Sequence, residues 1–165
     1  MNAAGSLYFA DEGYLTWQKN LVEPYLKQCQ KYAYFHSYDG AAIFYQQYLA
    51  AGADTCIVIS HGFSEFAEKY NEVIYYFLQQ GCSVYILEHR GHGYSEREVS
   101  DDQKVYIRDF EDYIKDLDCF MKKMNYRMER HRILFAHSMG GAIAVRYIEE
   151  HPKAFERAIL SSPMF

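Results

Sequence analysis

The 165-residue sequence is short of the features that mark several protein classes. It has no basic cluster: 17 Lys and Arg stand against 22 Asp and Glu, a net charge of −5, which argues against nucleic acid as a partner. No run approaches the roughly 20 consecutive apolar residues of a membrane span. Met1 to Asp11 has neither a basic n-region nor an apolar h-region, so no secretory signal is expected there. The four cysteines, Cys29, Cys56, Cys82 and Cys119, lie far apart and form no C-x-x-C pair. Buried free thiols in a cytoplasmic protein are the expectation, with no zinc site or other metal site and no cofactor. Low-complexity tracts and internal repeats are also lacking.

Half of the residues are apolar, and 17 Tyr and 11 Phe make the aromatic share high. This is a globular composition, long enough for one domain with a sizeable core, and many of the aromatic rings are expected to line that core and any apolar pocket.

Local pattern divides the chain into alternating elements. Residues 14 to 28 read as an amphipathic helix with Leu15, Leu21, Val22, Tyr25 and Leu26 as its apolar positions, and Pro24 is placed to split or kink it. Lys31 to Ser37 and Ile43 to Leu49 flank Asp39-Gly40, a strong turn signal, and predict an antiparallel hairpin. The continuous apolar run Cys56 to Ile59 predicts a fully buried strand. A helix is expected from about Lys69 to Gln80, stopped by Gly81, then a strand over Val84 to Leu87. Val105 to Met124 shows helical periodicity, with Phe110, Tyr113, Ile114, Leu117, Phe120, Met121 and Met124 on one stripe, read as core packing. Ile133 to Phe135 reads as a strand, Gly140 to about Glu150 as a helix ended by His151-Pro152, and Ala158 to Leu160 as a final strand. A hairpin followed by strand and helix in alternation predicts an α/β fold: a mostly parallel, doubly wound sheet with helices on both faces.

The stretch Ile133-Leu134-Phe135-Ala136-His137-Ser138-Met139-Gly140-Gly141 places a serine between small residues at a strand-to-helix junction. That is the layout of a nucleophile elbow, where strand and helix backbones nearly touch and the serine takes a strained conformation. Ala136 replaces the first glycine of G-x-S-x-G. The pentapeptide alone also fits an ordinary βα turn.

Two further motifs precede it: His61-Gly62-Phe63-Ser64-Glu65 after the first buried strand, and Glu88-His89-Arg90-Gly91-His92-Gly93-Tyr94-Ser95 after the second. In this order the three resemble the α/β-hydrolase superfamily, and within it the monoacylglycerol lipase and lysophospholipase group of serine hydrolases. The resemblance runs from about Lys31 to Phe165. Glu88 and Ala136 stand where the group usually has Asp and Gly; neither change removes a reacting group. The chain then divides into an N-terminal helical segment, 1–30, and the N-terminal part of a hydrolase domain, 31–165.

The resemblance implies Ser138 as nucleophile and the backbone N–H groups of Phe63 and Met139 as the oxyanion hole. His61, Gly62 and Gly140 would shape the loops around it, with His61 structural rather than a base. Glu65 is expected at the start of the following helix in preference to the polar end of the pocket. His89, Arg90 and His92 would hold their loop by hydrogen bonds, and His137 would pack beside the nucleophile. His36, His131 and His151 carry no signal.

In this fold the triad runs Ser, then Asp or Glu, then His. After Ser138 the acids are Glu149, Glu150 and Glu156 and the histidine is His151, and the far end of a ten-residue helix lies about 15 Å from its start. The expected fold is therefore truncated after about the sixth strand, without its later strands, cap, triad acid and base. The last strand, around Ile159, would expose an apolar edge open to self-association.

The function implied is hydrolysis of a lipid-like acyl ester, a monoacylglycerol or lysophospholipid, through an acyl-enzyme. The truncated chain itself should be inactive. The substrate is a small-molecule lipid met in the cytoplasm or at a membrane periphery. The alternatives are a non-catalytic module binding lipid or a partner protein, or a thioesterase or acyltransferase on the same fold.

Overall fold

The computed structural model describes residues 13–124 and 129–165. Residues 1–12, which hold the expected absence of a signal and the start of the 1–30 segment, lie outside the described residues. Six strands form one sheet in the order β1-β2-β4-β3-β5-β6: β1 Gln30–His36, β2 Ala42–Tyr48, β3 Thr55–Ser60, β4 Ser83–Leu87, β5 His131–His137 and β6 Arg157–Ser161. β1, β2 and β4 pair antiparallel, and β4, β3, β5 and β6 run parallel. The hairpin closes through Gly40, whose φ of 92° suits a residue without Cβ.

Helices cover both faces. On one, α3 (Asn71–Gln79), α2 (Glu23–Cys29) and the turn before α2 pack Ile74, Leu78, Leu26 and Val22 against Ile57, Ile59, Val84 and Ile86. On the other, α4 (Glu111–Met124) and α5 (Met139–Glu150) pack Leu117, Phe120, Ile143 and Tyr147 against Val58, Tyr85 and Leu134. β3 and β4, covered on both faces, are accordingly apolar without alternation and buried almost throughout.

Three expectations need correction. The first helix is not uniform: α1 (Tyr14–Trp17) passes through a π-turn, Gln18–Val22, into α2, with Pro24 in the first turn of α2. Pro24 has no N–H to give the carbonyl four residues back, and the widened turn precedes it. A wider turn rotates each residue by less than 100°, so the apolar stripe breaks and Leu15 and Leu21 face solvent.

The helix expected over Val105–Met124 begins only at Glu111. Asp109 sets the start, its Oδ1 accepting the Glu111 N–H at 3.0 Å and its carbonyl the Asp112 N–H at 3.1 Å. Residues 105 and 106 run instead beside Gly91, and Phe110 is over one-third exposed rather than core. Of the four thiols only Cys56 is fully buried; the other three are half-buried.

Candidate active site

The three motifs begin at the carboxyl ends of β3, β4 and β5, the end of a parallel sheet where such folds gather their sites. Ser138 stands between β5 and α5 with φ 50° and ψ −121°, a conformation that costs a residue with Cβ of order 1–3 kcal/mol. Its backbone is held on both sides. Ser138 N–H donates to the Ser161 carbonyl (3.1 Å), and the Ser138 carbonyl accepts from Gly141 N–H and Met164 N–H, each at 2.9 Å. The stretch after β6 therefore braces the elbow, a role invisible in a run as plain as Ser161 to Met164.

Gly140 explains how close the elbow lies to β3. A Cβ there would sit 2.2 Å from the Ser60 carbonyl oxygen and 2.5 Å from that of His61. Gly141 likewise leaves room for Pro163, which a Cβ would meet at 2.6 Å. Ala136, where a glycine was the pattern, is fully buried in the core.

The loop after β3 passes directly beside the serine: a Cβ on Gly62 would lie 3.2 Å from Ser138 Cβ. A turn closes from Glu65 N–H to the Gly62 carbonyl (3.3 Å), with Ser64 at φ 58°. Among the described residues neither Phe63 N–H nor Met139 N–H meets an acceptor. The Phe63 ring is more than half exposed and stands edge-on to His92, 5.7 Å between centroids.

His61 is fully buried and both ring nitrogens are committed. Nε2 accepts the His89 N–H at 2.9 Å, which leaves the proton on Nδ1, 2.8 Å from the Gly62 carbonyl. Burial holds its pKa down at about 3, so the ring is neutral. His89 and His92 are also depressed by burial, and both are packed in one cluster with His61 and Tyr113. Ser60 Oγ links the loops, at 3.0 Å from His89 Nε2 and donating to the Gly140 carbonyl at 3.1 Å.

Glu65 does not cap the next helix. Its Oε2 accepts the Gly62 N–H at 2.7 Å and the Tyr70 hydroxyl at 2.6 Å. Burial pushes its pKa up, but these donors outweigh it and hold the carboxyl below its ordinary value. Glu88 instead takes the helix start, accepting Ala67 N–H at 3.0 Å, and also Tyr94 N–H at 2.6 Å. Burial raises its pKa.

Arg90 holds its loop, to Glu98 of the same stretch at 3.6 Å and, more closely, to neighbouring elements. Its guanidinium, 3 % exposed, reaches Asp116 of α4 at 2.8 Å and Asp39 of the hairpin turn at 2.6 Å. The hydrogen bonds from Arg90 hold Asp39 down at about 2, whereas burial raises Asp116. Ser37 Oγ also donates to Asp116. Sequence offers no signal for these partners, since each pair is separated by 26 residues or more.

His137 lies at the end of β5 with Nδ1 3.0 Å from the Ser161 carbonyl. His151 sits beyond the far end of α5, stacked on Tyr147 at 4.5 Å and 3.6 Å from Asp118. Among the described residues no side chain hydrogen-bonds Ser138 Oγ.

Residues 51–165 match the family model described as serine aminopeptidase, S33. Lysophospholipase L2 of Escherichia coli is 34% identical over 134 residues, covering 81% of this chain and 39% of its own length. Monoacylglycerol lipase of Mycolicibacterium smegmatis is 33% identical over 108 residues, 65% of this chain and 37% of its own. Rat monoglyceride lipase is 29% identical over 131 residues, 76% and 41%. Among solved structures, a thermostable carboxyl esterase from Bacillus coagulans superposes with a TM-score of 0.69 at 22% identity, covering 80% of this chain and 44% of that one. An α/β hydrolase from Penicillium gives 0.69 at 17% identity, covering 81% and 46%. These structures show the α/β-hydrolase fold. The chain spans about two fifths of the length of the curated relatives it matches.

Proposed function

Because this chain belongs to the serine aminopeptidase S33 family of hydrolases, we propose that Ser138 is its nucleophile and that the whole protein hydrolyses lipid-like acyl esters, monoacylglycerols or lysophospholipids. The observation that carries the reading is Ser138 itself. Its left-handed backbone presents the hydroxyl at the N-terminus of α5, with Gly62 against it. The lipase and lysophospholipase names of relatives at 29–34% identity favour an ester over the peptide bond in the family's description.

In this mechanism Ser138 Oγ attacks the ester carbonyl, and the oxyanion that forms is met by Phe63 N–H and Met139 N–H, neither of which meets an acceptor among the described residues. The positive end of the α5 dipole adds to them. The alcohol leaves with a proton, giving an acyl-Ser138 ester, and water then releases the acid and restores the hydroxyl. His61, Gly62 and Gly140 hold the loops in register: His61 through Gly62 and His89, and Gly140 by lying flat on β3.

The proton needs a base, and this reading takes it from outside the described residues. His61 is buried with both nitrogens committed, and His151 is separated from Ser138 by the 12 residues of α5, about 18 Å of helix. The reading therefore places the triad acid and base outside these 165 residues and makes the isolated chain inactive. It also places the substrate at a membrane periphery, the protein in the cytoplasm, and a self-pairing edge at β6, where Ile159 is half exposed. No helix among the described residues is long and apolar enough to cross a membrane.

A fluorophosphonate probe tests the chemistry. The 165-residue chain should label weakly at Ser138, and strong labelling would refute the missing base. In the longest natural form, Ser138→Ala should abolish hydrolysis of a monoacylglycerol; unchanged activity would leave the module reading, binding through the β6 edge. Thioester and transfer assays on the same form separate hydrolase from thioesterase and acyltransferase.

A further inference from the structure

On the face of the hairpin opposite α4, four aromatic rings gather where no helix among the described residues covers them. Strand alternation sends Phe35 into the α4-side core and leaves Tyr32 and Tyr34 on the other side. Tyr34 pairs directly with Phe44 and Tyr32 with Gln46. Phe44, nearly buried, forms the floor, with ring centroids 5.2 Å from Tyr34, 5.9 Å from Tyr32 and 5.2 Å from Tyr94 of the loop after β4. The three tyrosines remain 69 %, 51 % and 65 % exposed for Tyr32, Tyr34 and Tyr94. With Gln30, Gln46 and Glu68 they line an open depression of about 390 Å³, within the size range of small-molecule sites.

Glu68 decides the chemistry of this cradle. It is exposed, in the turn that precedes α3, and among the described residues no cation pairs with it. Lys69, its neighbour, donates to the Ser64 carbonyl at 3.3 Å and lies over the Phe66 ring. Arg97, on the same loop as Tyr94, is held by the carbonyls of Gly93, Ser95 and Asp102. Aromatic faces carry negative potential, and a carboxylate at their rim adds to it, so the cavity attracts a soft, weakly hydrated cation. An ammonium that can form strong hydrogen bonds would lose more hydration here than the rings return; a quaternary ammonium has little to lose.

We propose that the Tyr32–Tyr34–Phe44–Tyr94 cradle, with the Glu68 carboxylate, is a binding site for a quaternary ammonium group of the choline type. β4 and β3 lie between β2 and β5, so the cradle is three strand spacings, about 14 Å, from the elbow. It does not depend on Ser138 being a nucleophile.

Choline titrated into the 165-residue chain, read by tyrosine ring shifts, tests it against 3,3-dimethylbutan-1-ol, the neutral isostere. Choline should saturate with a dissociation constant on the order of 1 mM, and the isostere should bind roughly tenfold more weakly. Glu68→Gln and Tyr34→Leu should each weaken choline several-fold while the circular dichroism stays that of the parent. Equal binding of choline and its isostere, or no saturable binding of choline, would overturn the site. Phosphatidylcholine vesicles that compete with choline assign the group to a lipid headgroup; vesicles that leave its binding unchanged assign it to a free ligand.

Discussion

The Glu65 carboxylate accepts the Gly62 N–H at 2.7 Å and so carries the backbone that passes beside Ser138. Removing it leaves a buried amide without a partner, at a cost of about 1–3 kcal/mol. Glu65→Ala should lower the urea midpoint accordingly, and Tyr70→Phe, which keeps the carboxylate on Gly62, should lower it less. In the longest natural form Glu65→Ala should reduce kcat for ester hydrolysis more than it changes KM. Equal midpoints for the parent and Glu65→Ala would mean that the loop holds its own shape.

Gly140→Ala should be among the most damaging single substitutions in the chain. The added methyl would meet carbonyl oxygens of Ser60 and His61 at 2.2 and 2.5 Å, and these belong to the backbone of a buried strand end that cannot step aside. A loss of at least about 3 kcal/mol is expected. Gly52→Ala is the control: its φ is 72° but nothing lies within 4 Å of the new methyl, so only the left-handed strain remains, roughly 1–2 kcal/mol. Thermal unfolding of the two variants compares them.

Stability should fall as pH drops below neutrality. In the unfolded chain a histidine takes up its proton near 6.5, whereas burial holds folded His61 at about 3 and depresses His89 and His92 as well. Between those values the unfolded state binds more protons, so stability rises with pH and levels above about 6.5. Each histidine contributes up to about 1.4 kcal/mol per pH unit within its window. Asp39, held at about 2, acts in the same sense at lower pH, while Glu88 and Asp116, raised by burial, oppose it. Urea midpoints at pH 7.5, 6.5, 5.5 and 4.5 check the trend; a flat series would contradict it.

The pair Arg90 and Asp116 should show strong coupling. Asp116→Leu leaves a buried guanidinium short of one partner and should cost about 3–5 kcal/mol, whereas Arg90→Met with Asp116→Leu should cost clearly less than the two single changes added together. Asp39→Asn should cost less than Asp116→Leu, because Asp39 is 29% exposed. A double-mutant cycle in urea measures the coupling.

The order of strands and helices was legible because it rests on short-range pattern. The apolar run Cys56 to Ile59 and the stripe Tyr113, Leu117, Phe120, Met124 each show their period within a few turns or pleats. Where a single residue breaks the period, reading failed: the π-turn before Pro24 turned Leu15 and Leu21 outward, and Asp109 delayed α4 to Glu111.

The sequence by itself determined the alternation of strands and helices and put Ser138 at a strand-to-helix junction, because these depend on residues close together in the chain, and the resemblance of its three motifs implied the α/β-hydrolase fold. Tertiary structure alone decided that Glu65 braces Gly62 while Glu88 starts the helix. It also decided that Arg90 reaches Asp39 and Asp116, and that Ser161 and Met164 grip the elbow. Buried charges and backbone amides take whichever partner the packed sheet ends bring within about 3 Å, and no local pattern names that partner in advance.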